Sequence, residues 1–151
     1  MLKVKDVMVT DLVTIEVGIS VKKAVKVMND FEIGCLIVVE KGQAIGIITE
    51  RDVLKRIVVE SRNPEETLVR DIMSKPLIVV GPETSLEEAI EVMFKHKIKK
   101  LPVIDGGKLV GLVTFIDIAR VQPVMEKTIR RLMEKYKVPR RINKVIKYYI
   151  A

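Results

Sequence analysis

The sequence predicts a mixed α/β fold made of two copies of one β-α-β-β-α unit, followed by C-terminal helices. Three observations carry that expectation. Sliding the chain by 65 residues superimposes Val4–Lys55 on Val69–Arg120 without a gap. Within each copy, short runs rich in β-branched residues alternate with segments of helical apolar spacing. After Val121 the pattern changes to basic amphipathic helices.

The repeat is one of position, not composition. Identical pairs include Asp6/Asp71, Met8/Met73, Leu12/Leu77, Ser20/Ser85, Ala24/Ala89, Val27/Val92, Met28/Met93, Ile33/Ile98, Leu36/Leu101, Val38/Val103, Gly42/Gly107, Gly46/Gly111, Thr49/Thr114 and Asp52/Asp117. A copy of about fifty residues buries too little apolar surface to be stable alone, so two copies are expected to pack face to face. The organisation read from this pattern is repeat 1 over 1–60, a polar linker over 61–67 containing Pro64, repeat 2 over 68–121, and a basic helical extension over 122–151.

In the first copy Leu12–Ile15 reads as a short strand. Ser20 caps a helix whose Val21, Ala24, Val25, Val27 and Met28 lie near one face. Leu36–Glu40 and Ala44–Thr49 read as a hairpin turning at Lys41-Gly42, and a second helix starts near Glu50. The second copy repeats the order: a strand around Leu77–Val80, a helix from Ser85 to about His96, strands Leu101–Ile104 and Leu109–Thr114 around Asp105-Gly106-Gly107, and a helix from Phe115 or Ile116. In the extension, Met125, Ile129, Leu132, Met133 and Tyr136 have helical spacing. Pro139 ends that run, and Ile142, Val145, Ile146, Tyr149 and Ile150 form a second.

Composition narrows the function. The chain has 151 residues, 48% hydrophobic and 31% charged, enough for one sizeable core under a hydrophilic surface. A single cysteine, Cys35, permits no internal disulfide and no thiol cluster, which fits a reducing cytoplasm. Apolar runs such as Leu36–Val39 and Leu77–Val80 fall far short of the roughly 18 residues of a transmembrane helix, and no signal peptide is expected. Few Gln and Asn beside many Lys and Glu lean towards a thermophile-like composition. The net charge of +7 is not spread evenly: residues 1–121 hold 18 basic and 18 acidic residues, so residues 122–151 carry the whole excess. A neutral body with a basic tail needs two separate hypotheses about partners.

The full set of motifs, present twice at one offset, resembles a tandem pair of CBS domains, or Bateman module. The resemblance covers roughly residues 1–121 and rests on DVM, SVKKAVKVM and IGCLIVVEKGQAIGIITERDV in the first copy. In the second copy it rests on DIM, SLEEAIEVM and IKKLPVIDGGKLVGLVTFIDI. It implies two repeats packed about a pseudo-twofold axis, two related clefts that take adenosine-containing ligands, association into a flat homodimer, and regulation of a partner without chemistry of its own.

The candidate site starts from Thr49-x-x-Asp52 and Thr114-x-x-Asp117, each at a strand-to-helix junction. A carboxylate there can accept from both ribose hydroxyls, and the threonine hydroxyl and first helical N–H groups can approach phosphate. On the pattern alone the plainer reading is an N-cap with an acidic third residue closing a capping box, and the resemblance reverses that preference. By resemblance, one cleft uses Thr114, Asp117 and Lys99 with Val13, Ile33 and Gly34. The other uses Thr49, Arg51 and Asp52 with Ile78 and Ile98. AMP, ADP, ATP or S-adenosylmethionine are the ligands implied, with no catalytic cofactor. The two sites are not equal in chemistry. Arg51 stands where the second repeat has Ile116, and Lys99 and Lys100 stand where the first has Gly34 and Cys35, so different affinities are expected. The plainer reading of Arg51, Lys99 and Lys100 is solvated surface charge.

Other residues carry less. His96, at a helix end, suits a surface or dipole role; Cys35 suits packing; Glu87, Glu88 and Glu91 suit the early turns of a helix; and Met28 and Met93 suit a core. No metal-ligand cluster or nucleophile constellation emerges. The extension is expected to pack on the module or on a second subunit. The alternative is binding of DNA or RNA through Lys127, Arg130, Arg131, Arg140, Arg141, Lys144 and Lys147, with strong salt dependence.

Overall fold

The structure is a computed structural model that describes residues 1–121 and 126–136. In chain order the elements are α1 (Val4–Val7), β1 (Thr14–Glu16), α2 (Val21–Phe31), β2 (Cys35–Glu40), β3 (Gln43–Thr49), α3 (Glu50–Val53) running into a π-helical turn (Leu54–Val58), α4 (Val69–Ile72), α5 (Leu86–His96), β4 (Lys100–Asp105), β5 (Lys108–Thr114), α6 (Phe115–Ala119) and α7 (Glu126–Lys135). The fold is the mixed α/β class expected. Contacts divide the chain into two compact units: Val13–Ile78, called the first unit, and Met1–Leu12 with the chain from Val79 onward, called the second.

In the first unit Ser20 caps α2, its Oγ accepting from the Lys23 N–H at 3.2 Å. Val21, Ala24 and Met28 face inward, as their spacing requires. The helix ends with Glu32 in the left-handed region (φ 54°), where its N–H closes on Met28 and Asn29 carbonyls. β2 and β3 form an antiparallel hairpin whose two turn residues, Lys41 and Gly42, both take positive φ (50° and 77°), as a two-residue hairpin turn requires. β1 lies parallel to β2 in register Thr14↔Ile37. Leu36, Val38 and Ile48 from the sheet and Val69, Ile72 and Met73 from α4 and its exit complete the core.

The second unit repeats this plan. Ser85 caps α5 with Glu88 closing the capping box, and Leu86, Ala89, Ile90, Met93 and Phe94 are buried. Phe94 meets Phe115 edge to face at 6.0 Å. β4 and β5 pair around Gly106 and Gly107, both at positive φ. The strand expected at Leu77–Val80 shrinks to one residue: Val80 alone bridges β4 beside Val103. The adjoining rungs of that parallel ladder need N–H groups from residues 82 and 102, and both are proline.

Two short helices escaped the periodicity and explain why Asp6/Asp71 and Met8/Met73 recur. The segment that opens each repeat docks on the sheet of the other. In the second unit, the Asp6 carboxylate closes the start of α1 on the Lys3 N–H at 2.8 Å, and Val9 pairs with Leu112 on the outer edge of β5. In the first unit, Asp71 does the same for α4 on the Leu68 N–H at 3.2 Å, and Ser74 pairs with Ile47 on the edge of β3. Each docked segment thus blunts an open sheet edge. The methionine ahead of each pairing residue lies over a glycine of the strand it joins. A Cβ on Gly111 would fall 2.5 Å from the Met8 sulfur, and one on Gly46 would fall 2.8 Å from that of Met73.

The first helix of the basic extension forms as α7 and packs along α5, with Ile129 and Leu132 fully buried. Arg131 pairs with Glu87, and Glu91 accepts from Lys135 at 3.2 Å and from the Tyr136 hydroxyl at 3.3 Å. The second amphipathic run, Ile142–Ile150, lies outside the described residues.

Candidate ligand-binding site

Both Thr-x-x-Asp motifs sit where a strand passes into a helix, β3 into α3 and β5 into α6, and both are closed capping boxes. The Thr49 hydroxyl accepts from the Asp52 N–H at 3.2 Å, and Asp52 Oδ2 accepts from the Thr49 N–H (2.9 Å) and hydroxyl (3.1 Å). At the second junction the three distances are 3.2, 2.9 and 2.8 Å. Each box holds its junction rigid and is worth about 1 kcal/mol. It also spends the threonine's only hydroxyl proton on its own aspartate.

The two aspartates differ at their other oxygen. Asp52 Oδ1 accepts from the Ser74 hydroxyl at 2.9 Å and lies 3.8 Å from the Arg56 guanidinium. That guanidinium is itself anchored on the Ile72 and Met73 carbonyls at 2.5 and 3.1 Å. Asp52 is 7% exposed, with both oxygens engaged. At the matching offset, Ser74 becomes Val9 and Arg56 becomes Val121. Neither valine side chain can donate a hydrogen bond, and Asp117 is only half-buried. Among the described residues, the hydrogen bonds to the Asp117 carboxylate from the Thr114 N–H and hydroxyl both fall on Oδ2, and no other side chain is bonded to its second oxygen. Ser74 and Arg56 were not among the residues singled out from sequence. The signal was present in the repeat itself, as polar residues at positions where the other copy is apolar.

Neighbouring candidates gather beside each motif inside their own unit. In the second unit the Lys99 carbonyl accepts from the Phe115 N–H at 2.8 Å, and Lys100 pairs across the ladder with Thr114. Ile98, Lys99 and Lys100 thus line up beside Thr114 and Asp117. In the first unit the Gly34 carbonyl accepts from the Glu50 N–H at 3.1 Å and Cys35 pairs with Thr49, which sets Ile33, Gly34 and Cys35 beside Thr49 and Asp52. Arg51 is exposed on α3, and Ile116, its counterpart on α6, is half-buried. Val13 and Ile78, both half-buried, stand at the two ends of the first unit.

The remaining candidates resolve simply. His96 is exposed in the last turn of α5, Met28 and Met93 are buried, and Glu87 and Glu91 bind the cations of α7. Among the described residues no cluster of three or more His, Cys, Asp or Glu could hold a metal, and no helix is long and apolar enough to cross a membrane. Of the basic residues considered for nucleic acid, Arg130 is paired with Glu126 at 2.8 Å and Arg131 with Glu87, while Lys127 is exposed. Arg140, Arg141, Lys144 and Lys147 lie outside the described residues.

Comparison with known proteins bears on the family and the fold. The CBS domain family model matches twice, over residues 4–59 and 69–123. An uncharacterised protein of Methanopyrus kandleri, MK0525, is 42% identical over 111 residues, covering 72% of this chain and 57% of its own length. The CBS domain-containing protein YhcV of Bacillus subtilis is 35% identical over 119 residues, covering 79% of this chain and 84% of its own. Among solved structures, the CBS-domain protein TA0289 of Thermoplasma acidophilum superimposes with a TM-score of 0.78 at 25% identity, covering 88% of this chain and 75% of that one.

Proposed function

This chain belongs to the CBS-domain family as a tandem pair, and from that premise we propose that it is a non-catalytic, adenosine-nucleotide-sensing regulatory module acting in the cytoplasm as a homodimer. Its ligand is AMP, ADP, ATP or a related adenosyl compound such as S-adenosylmethionine. The ribose hydroxyls donate to the aspartate of a Thr-x-x-Asp junction. Lys99 and Lys100 beside Asp117, and Arg51 beside Asp52, supply charge for phosphate. Binding favours one arrangement of the module over another, and a regulated protein reads the difference.

The observation that carries this reading is the inequality of the two aspartates. A diol ligand at Asp117 finds a carboxylate oxygen already oriented by its capping box. At Asp52 it must first displace the Ser74 hydroxyl and compete with Arg56. The Asp117 junction is therefore the tighter site, and Asp52 is first of all a structural residue.

Calorimetric titration of the full chain with AMP, ADP, ATP and S-adenosylmethionine tests the reading. One of the four is expected to bind in the micromolar range, with loss of that binding in Asp117→Asn and its retention in Asp52→Asn. Failure of all four to bind overturns the sensing function. Loss in Asp52→Asn alone reverses the assignment of the tighter site.

A further inference from the structure

In the second unit α7 packs along α5, and the second repeat differs from the first at the positions that seat it. α2 and α5 bury three matching positions, Val21/Leu86, Ala24/Ala89 and Met28/Met93. α5 buries two more, Ile90 and Phe94, whose counterparts Val25 and Asn29 are exposed on α2. Lys22 and Lys26 give way to Glu87 and Glu91, which hold Arg131 and Lys135 of α7. Glu50, exposed at the start of α3, gives way to Phe115, 0% exposed at the start of α6. These changes build the seat of α7, and they add the Phe94–Phe115 pair where the first unit has Asn29 and Glu50.

That pair joins the seat to the Asp117 junction. Phe115 stands two residues before Asp117 in the five-residue α6. Its N–H is bonded to the Lys99 carbonyl at 2.8 Å, and the capping box ties Thr114 to Asp117 on either side of it. Its ring meets that of Phe94 edge to face, 60° between planes and 6.0 Å between centroids, with both rings buried. A close-packed contact of this kind passes a small shift on one side to the other, because no void absorbs it.

We infer that α7 is the output helix of the Asp117 junction. An adenosyl ligand there holds α6 and Phe115 in place, fixes the face of α5 through Phe94, and tightens α7 on its seat. The inference rests on the adenosine-sensing function proposed for Asp117 and names its regulation. By linkage the effect is reciprocal: a seated α7 strengthens binding at Asp117 by the same factor. The seat is built to be variable. α7 has ten residues, too few to hold a helix in water by itself, and its cross-helix ion pairs are exposed. Its hold therefore rests chiefly on Ile129 and Leu132, and a weakly held element is one whose opening a ligand can shift.

The test follows amide exchange of the full chain with and without AMP, ADP, ATP and S-adenosylmethionine. Exchange over Glu126–Lys135 is expected to slow about fivefold or more with the ligand that binds, and to stay unchanged in Asp117→Asn. By calorimetry, Leu132→Ala is expected to bind that ligand about fivefold or more weakly with the same stoichiometry. Phe94→Leu keeps apolar fill and removes the ring contact. It is expected to retain binding while the effect of the ligand on α7 exchange falls below about twofold. Failure of all four to bind the unaltered chain overturns the sensing function and this inference with it. Binding that leaves α7 exchange unchanged, full affinity in Leu132→Ala, or an undiminished effect in Phe94→Leu overturns the inference alone.

Discussion

Substituting Gly111 by alanine tests whether the opening segment of each repeat is a structural part of the other repeat's sheet. The new Cβ would stand 2.5 Å from the Met8 sulfur, 3.0 Å from Met8 Cγ and 3.2 Å from the Val9 carbonyl oxygen. A thioether can swing aside, but the Val9 carbonyl cannot, because Val9 and Leu112 exchange two hydrogen bonds of 2.9 Å. Relief therefore requires Met8 to leave its seat and α1 to lift from β5. Overpacking of this kind costs about 1–3 kcal/mol. The smaller unfolded-state entropy of alanine returns about 0.4–1 kcal/mol, so the net expectation is a loss of about 1–2 kcal/mol in urea denaturation. Met8→Ala removes the obstruction, so the double variant should be less destabilised than the sum of the singles by about 1 kcal/mol. Hydrogen exchange should accelerate at Val9 and Leu112 first. A neutral Gly111→Ala, or strictly additive effects with Met8→Ala, would refute the reasoning.

Three further outcomes are expected. Ser74→Val gives the first junction the kind of residue found at the second: it should cost about 1.5–3 kcal/mol, the range for a hydrogen bond to a charged group, and raise adenosyl binding from one ligand per chain towards two. Continued binding of a single ligand would contradict the Asp52 lock. Glu83, held by Lys3 and Lys5 at 2.5 and 2.7 Å, has its carboxyl lowered to about 2, chiefly by those two hydrogen bonds. The stabilisation is therefore fully present above the ordinary carboxylate value of 4.5 and is lost as pH falls towards about 2. An NMR titration midpoint near 4.5 would show the clamp is not formed, and 1 M salt should move the midpoint back upward. Leu132→Ala, at a site 1% exposed, should cost about 2–4 kcal/mol and loosen exchange in α5. A cost below about 1 kcal/mol would mean that α7 is not seated there.

Much of the architecture could be read before the structure because local chemistry and tertiary context agree. Ser20 and Ser85 cap helices whose apolar spacing matches the buried face, and Lys41-Gly42 and Gly106-Gly107 supply the positive φ their hairpins need. Reading failed where the cause is not local. α1 and α4 have four residues each, too few to show a period, and their role comes from docking on a strand distant in sequence. The run at Leu77–Val80 has strand composition, yet Pro82 and Pro102 remove the rungs that would extend it. The π-helical turn at Leu54–Val58 buries Ile57 and sends Arg56 to the Ile72 and Met73 carbonyls, contacts that no helical pattern announces. At the site, the Thr-x-x-Asp motifs were legible both as caps and as ligand groups. The caps are formed, and what distinguishes the two aspartates lies 4 and 22 residues beyond Asp52, at Arg56 and Ser74.

The most direct test of the central claim is calorimetric titration of the full chain with the four adenosyl ligands, repeated in Asp117→Asn and Asp52→Asn with folding checked by circular dichroism. The account predicts one dominant site per chain, abolished by Asp117→Asn and preserved in Asp52→Asn. Two equal sites, or a site lost only with Asp52, would contradict it.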